Sequence, residues 1–284
     1  MQASTEDGLF SMLAGPFRDE NFRQLLIFMG SWNFAINLAG PFFTVYMLKR
    51  LNLSMSIVLA MAVLSQIFNV LFLRLWGRLA DRFSNKAVLS ASGPLFILSI
   101  AMWPFTTMPE SYFMTIPLLI LIHSLAGMST AGIALSSGNI ALKAAPRGAA
   151  TAYLASNALV SGLAATVAPL IAGVTADWFS AQELSVTFKW TSSATMLHEI
   201  AVPALNLRGL DFLFIIAVIA GSYAIHRLIV VREQGEVEEG EVMQELSMEV
   251  RKAVKHVSNV AGMRTLTYFP YGMVNRMFRQ RKNS

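Results

Sequence analysis

Seven side chains in this 284-residue sequence stand out because they are polar and sit inside long apolar runs: Asn33, Asn37, Gln66, Asn69, His123, Asn139 and Asn157. Amides carry no charge but offer both a donor and an acceptor. In a greasy setting their chemistry is hydrogen bonding, either to a neighbouring helix or to an uncharged solute. Asn33 and Asn37 are four apart and share a helix face. Trp32 and Phe34 stand beside them and either join a polar cavity or simply pack. A second possible chemistry is nucleophilic: Gly127-Met-Ser129 and His226 could pair as nucleophile and base. Against this, Thr130 follows the serine, and His226 adjoins Arg227, which belongs at a membrane boundary. No metal centre or cofactor is expected, and the chain has no cysteine, so thiol catalysis and disulfides are excluded.

A third group is a compact polar stretch, residues 73–89, "LRLWGRLADRFSNKAVL", with Gly77, Arg78, Asp81, Arg82 and Lys86 set between two apolar runs. Basic residues alone would be explained by a short loop on the cytosolic side. Gly77 and Asp81 would not.

The elements that hold these residues must be membrane helices. The chain is 55% hydrophobic and only 14% charged, with a mean hydropathy of +0.53, whereas soluble domains carry about 25% charged residues. Six runs are long enough to cross a bilayer, at about 25–48, 55–76, 87–105, 113–142, 149–176 and 211–231. Each must be helical, since backbone groups in lipid have to be satisfied within their own segment. The spans define a transmembrane domain at 25–231, preceded by a segment 1–24 and followed by a tail 232–284. Residues 177–210, with "LSVTFKW" and "PALNLRGL", are expected to form an ordered loop or short hairpin outside the bilayer. Of the 22 Lys and Arg residues, all but Lys49, Arg50, Lys189 and Arg208 fall on one side of the six spans. The positive-inside rule therefore predicts that both termini are cytosolic. The net charge of +5 reflects those loops and does not point to nucleic acid.

In the tail, residues 241–257 place Val242, Leu246, Val250, Val254 and Val257 on one stripe, with acids early and bases late, which predicts an amphipathic helix. Beyond Arg264, basic residues interleave with Tyr268, Phe269, Tyr271 and Phe278, a composition that suits an anionic leaflet or a solvated tail.

The order Gly77-Arg-Leu-Ala-Asp81-Arg82-Phe-Ser-Asn-Lys86 resembles the loop motif between the second and third helices of each half of a major facilitator superfamily transporter. Ser84 stands where that family has a second glycine, and Asn85 where it has the first of two final bases. The resemblance implies a latch at the cytosolic ends of two halves, made by Gly77, Arg78, Asp81, Arg82 and Lys86. The run Ala164-x-x-x-Ala168-Pro169-x-x-Ala172-Gly173 is similar to the family's glycine-proline signature in antiporters. Read as residues alone, it is equally a close helix-packing stripe. "AAPRGAATAY", 144–153, is similar to the family's loop between the fourth and fifth helices.

The resemblance covers one six-helix half of a twelve-helix fold, and the charged tail after the last span points to the C-terminal half. It implies an all-α membrane protein whose first, second, fourth and fifth helices line a cavity, with the third and sixth outside. It further implies transport of a small-molecule solute by alternating access with a second six-helix half, supplied by a homodimer, a partner chain or the rest of a longer gene. The expected location is the bacterial inner (plasma) membrane. No Asp, Glu, Lys or Arg occurs mid-span, so coupling would reside in the second half, or transport would be uncoupled, or the chain would be a non-transporting scaffold. An intramembrane serine protease using Ser129 and His226 is the distant alternative.

Overall fold

The computed structural model describes residues 14–107, 111–191, 199–233 and 248. The chain divides into two units, Met1–Val237 and Glu238–Ser284. The helix expected at 241–257 and the basic aromatic end lie outside the described residues, Met248 apart.

Among the described residues of the first unit, six long helices stand out: α1 (Glu20–Val45), α2 (Met55–Arg82), α3 (Asn85–Ala101), α4 (Thr115–Ala144), α5 (Ala150–Phe179) and α6 (Leu210–Val230). Five are long and apolar enough to cross a membrane, and α3 is the short one. The third span, expected as one run over 87–105, is broken: α3 stops at Ala101 and a 3-10 turn, Trp103–Thr106, completes it. Pro104 lacks the N–H that an α-helix would need there and fits the first turn of a new segment. At the end of α1 the chain loosens into a π turn, Tyr46–Arg50, five residues after Pro41.

Helix ends follow local chemistry. Asp19 caps α1 by accepting from the Phe22 N–H at 2.9 Å, and the Ser84 hydroxyl caps α3 by accepting from Ala87 at 3.0 Å. The loop after α5 is a hairpin, as expected: β1 (Glu183–Thr191) pairs antiparallel with β2 (Glu199–Arg208), with an irregularity between Val186 and Thr187. Glu183 accepts from Asn206 at 2.8 Å and pairs with Arg208. The Arg208 guanidinium holds the Glu183 carboxyl below the usual carboxylate range.

The broadest contacts run in the order α2, α4, α3, α6, α1, α5. Exchanging the first three helices with the last three leaves this order intact: α1 on α5 becomes α4 on α2, and α1 on α6 becomes α4 on α3. The bundle is thus two three-helix repeats packed in equivalent ways. Glycines sit at matching crossings. A Cβ on Gly127 of α4 would lie 2.0 Å from the Ser65 carbonyl oxygen of α2, and one on Gly30 of α1 would lie 2.9 Å from Val160 of α5. Between α3 and α6, Gly93 faces Ile225 and Gly221 faces Ile97. In lipid, where no hydrophobic force gathers helices, such close approach supplies the packing energy.

The core has two centres. Near the hairpin, Trp103 stacks on Phe43 at 4.7 Å and meets Tyr46 and Phe214 at 5.6 Å each. Toward the opposite end, Phe22, Leu25, Phe28, Trp32, Leu89, Ile140, Tyr153 and Leu228 pack together. The two end members of the helix order, α2 and α5, are left bare on one side. Leu59, Val63, Ile67 and Val70 of α2 and Leu163, Leu170 and Val174 of α5 are all exposed.

Candidate solute-binding site

One recess brings polar residues of the spans together. It has a volume of about 260 Å³ and lies between α1 (Trp32, Asn33, Ile36) and α4 (Thr130, Ile133, Ala134, Ser137), closed on one side by Phe96 of α3. The helical repeat explains the set, since positions i, i+3, i+4 and i+7 of α4 share a face.

Trp32 is 2% exposed, wedged between Phe28 at 6.3 Å and Phe96 at 5.9 Å. Among the described residues its indole Nε1–H has no hydrogen-bond partner, nor has the Ser137 hydroxyl. Asn33 donates to its own helix at the Met29 carbonyl, 2.9 Å away, and Asn37 repeats this on Asn33 at 2.8 Å. The Asn33 side-chain oxygen is therefore left to accept. Thr130 donates to Ala126. The recess holds no acid, base or histidine, so its unmet hydrogen bonds are those of neutral groups. A buried polar group without a partner costs about 1–3 kcal/mol, and a solute that supplies the partner recovers part of it.

The other amides do not converge on this recess. Gln66 and Asn139 are exposed, and Asn69 is half-buried. Asn157 keeps a buried, unpartnered Oδ1 on α5. The His123 Nδ1–H donates to the Leu119 carbonyl at 2.9 Å, and the ring packs edge-on against Trp103, in the core near the hairpin. Phe34 lines a different groove, with Gly30, Ser31, Ala164, Ala220 and Tyr223. In the small-residue run of α5, Ala168 and Ala172 are fully buried, Ala164 and Pro169 are half-buried, and Gly173 faces open space. Ser129 is fully buried and its hydroxyl donates to Leu125 of its own helix, while His226 is exposed. No Ser129–His226 hydrogen bond exists among the described residues, so the nucleophile-base pair is not assembled.

The polar stretch proves largely helical: α2 continues through Gly77 to Arg82. A Cβ on Gly77 would have room, 3.9 Å from Leu135. Arg78 and Asp81 are exposed, and the Arg82 guanidinium lies over the Phe83 ring at 5.0 Å. Asp81 has no hydrogen bond or ion pair among the described residues. Lys86 differs from the rest, being 6% exposed and tied to its own bundle. Its Nζ donates to the Ile229 carbonyl at 3.1 Å and its backbone N–H to Glu233 at 2.7 Å.

Glu233 is the residue that sequence reasoning misses, because it reads as the start of the tail. Its side chain is 2% exposed. It accepts from the Asn85 amide at 2.8 Å, the Lys86 N–H at 2.7 Å and Lys143 at 3.2 Å. One carboxylate thereby joins the start of α3, the end of α4 and the exit from α6. Burial alone would raise its pKa, but the bonds from Lys86, Asn85 and Lys143 outweigh that and hold it below the usual range. Next to it, Asn21 and Arg232 exchange two amide bonds of 3.0 and 2.8 Å. The only sequence signal is an acid placed three residues after an apolar span.

At the other end, Asp211 in the first turn of α6 is fully buried. It accepts from the Tyr46 hydroxyl at 2.8 Å and the Arg208 N–H at 2.9 Å, so α1, α6 and the hairpin meet there.

Long apolar helices, two equivalent triplets and a small neutral recess define a helical integral membrane protein with an internal repeat. The sequence profile of the Major Facilitator Superfamily matches residues 24–237, and the chain belongs to that superfamily. Among solved structures it is similar to the inward open conformation of the xylose transporter XylE from E. coli, at 15% identity and a TM-score of 0.49. That alignment covers 96% of this chain and 61% of the XylE chain, so the protein spans less than two thirds of that neighbour's length. No curated protein matches it in sequence.

Proposed function

We propose that this chain is one six-helix half of a secondary transporter that moves a small uncharged solute by alternating access against a second six-helix half. The observation that carries the reading is the α1–α4 recess, where Trp32 and Ser137 hold unmet neutral hydrogen-bonding groups and no charge is present to attract an ion. The bare faces of α2 and α5 would receive the second half, and alternating access would be rocking of one half against the other around the recess. The excess of basic residues supports a cytosolic position for the Glu233 end, in keeping with a bacterial inner-membrane protein. Asp81, exposed and unpaired among the described residues, and Arg78 beside it would be the contacts to the second half. Lys86 would stabilise its own half.

Flux into vesicles of the full chain, over a panel of neutral, anionic and cationic solutes, tests this. A neutral solute should be carried, with Trp32→Phe and Asn33→Ala raising its half-saturation concentration at least 5-fold, equivalent to about 1 kcal/mol for one lost hydrogen bond. Transport restricted to charged solutes, or untouched by both substitutions, would sink the assignment. Absence of any flux, with the chain instead holding a membrane partner, would favour the scaffold reading.

A further inference from the structure

We propose that the β1–β2 hairpin lies on the bilayer, with Leu184 and Val186 inserted among the lipids of the leaflet at the hairpin face of the protein. Both roots of the hairpin are fixed at helix ends. β1 begins four residues after the last residue of α5, β2 ends two residues before α6, and the Gly209 N–H closes the base on the Gln182 carbonyl. The base of the ribbon is therefore held at the level of the helix ends.

Its register sorts the two sides. Leu184 pairs with Leu207 and Val186 with Leu205, while Glu183 pairs with Arg208 and Ser185 with Asn206. Alternation along a strand puts Leu184, Val186 and Leu207 on one face and Glu183, Ser185, Asn206 and Arg208 on the other. β2 meets α6 and the Trp103–Thr106 turn; Asn206, on the polar face, is buried, and so is Leu207. Directly across from it, Leu184 is 51% exposed and Val186, two residues on, is 42% exposed. The apolar face thus runs from the buried Leu207 to the exposed Leu184 and Val186.

What lies against the exposed pair, at the depth of the helix ends, is lipid. Trp178, at the end of α5, is also among the exposed large side chains, and exposed Trp marks the membrane–water boundary. On the opposite face Glu183 and Arg208 neutralise each other. A two-stranded ribbon is marginal by itself and gains its stability by burying that apolar face.

The absence of cysteine makes the test direct. Single cysteines replacing Leu184, Ser185 or Val186 in the full chain are spin-labelled and reconstituted in mixed phosphatidylethanolamine–phosphatidylglycerol vesicles. Relaxation by oxygen, which partitions into lipid, is compared with relaxation by a neutral nickel chelate, which stays in water. The oxygen-to-chelate ratio should be several-fold higher at 184 and 186 than at 185. Chelate access at all three positions would overturn the proposal, since the ribbon would then stand in water. Shielding of 184 and 186 from both reagents would overturn it as well, because protein, such as a second copy, would then cover the face. Each variant is first required to elute as the parent does, and if Leu184→Cys fails this, the 186 and 185 pair decides.

Discussion

Gly127→Ala is expected to destabilise the bundle by about 3 kcal/mol or more, and Gly127→Val to abolish the folded protein. The first atom of either side chain falls 2.0 Å from the Ser65 carbonyl oxygen and 3.0 Å from its Cα. Those are backbone atoms of a helix, so no rotamer change relieves the clash, and α2 must move bodily away from α4. Overpacking a core costs about 1–3 kcal/mol when flexible side chains can yield; a rigid neighbour puts this case at the top of that range. The effect reaches the site, because α4 also carries Thr130, Ile133, Ala134 and Ser137. Gly138 on the same helix meets nothing within 4 Å, so Gly138→Ala should be neutral or slightly stabilising. Melting followed by size-exclusion in detergent separates the two. Equal behaviour of the 127 and 138 variants would refute the close crossing.

The second large effect belongs to Glu233. Glu233→Ala removes the acceptor of Asn85, Lys86 and Lys143 at once and leaves the buried Lys86 N–H and Asn85 amide unanswered. Bonds to a charged group are worth about 1.5–3 kcal/mol each, and breaking one partner of a buried charged cluster costs about 3–5 kcal/mol. A loss of about 3 kcal/mol is expected, felt where α3, α4 and the α6 exit converge. The pH dependence has a definite sign. The folded-state pKa lies below the ordinary carboxylate value, so the contribution is complete at neutral pH. It fades as pH falls from the unfolded carboxylate value, about 4.3, through the lower folded one. The stability gap between the parent and Glu233→Gln should therefore be widest near neutrality and close in acid. A gap that widened in acid would show that the carboxylate is not held ionised.

The helices were legible because run length and apolarity are one-dimensional quantities. The make-up of residues 177–210 marked an ordered loop or short hairpin, and the structure shows the hairpin. What was not legible depends on helix rotation. Gly127 reads as the neighbour of a candidate nucleophile, and only its azimuth on α4 turns it toward Ser65. Gly173 reads as packing, yet it turns toward open space. Of the seven in-span amides and histidine, only Asn33 lines the recess, which draws on the first and fourth helices and on Phe96 of the third, because a span has several faces. Trp32 was noted as a possible neighbour, while Ser137, a small hydroxyl among many serines, gave no signal. Pro104 could have marked the break after α3, had the apolar run around it not masked the end of the helix. Glu233 needed knowledge of where α6 exits and what the starts of α3 and α4 present to it.

Alternating exposure of the α1–α4 recess is the centre of this account, and a single cysteine at Asn33 tests it most directly. In membranes of cells expressing the otherwise cysteine-free chain, Asn33→Cys should react with a charged, membrane-impermeant maleimide applied from either side, and a transported neutral solute should slow both reactions. Reaction from one side only, whatever solute is present, would contradict alternating access.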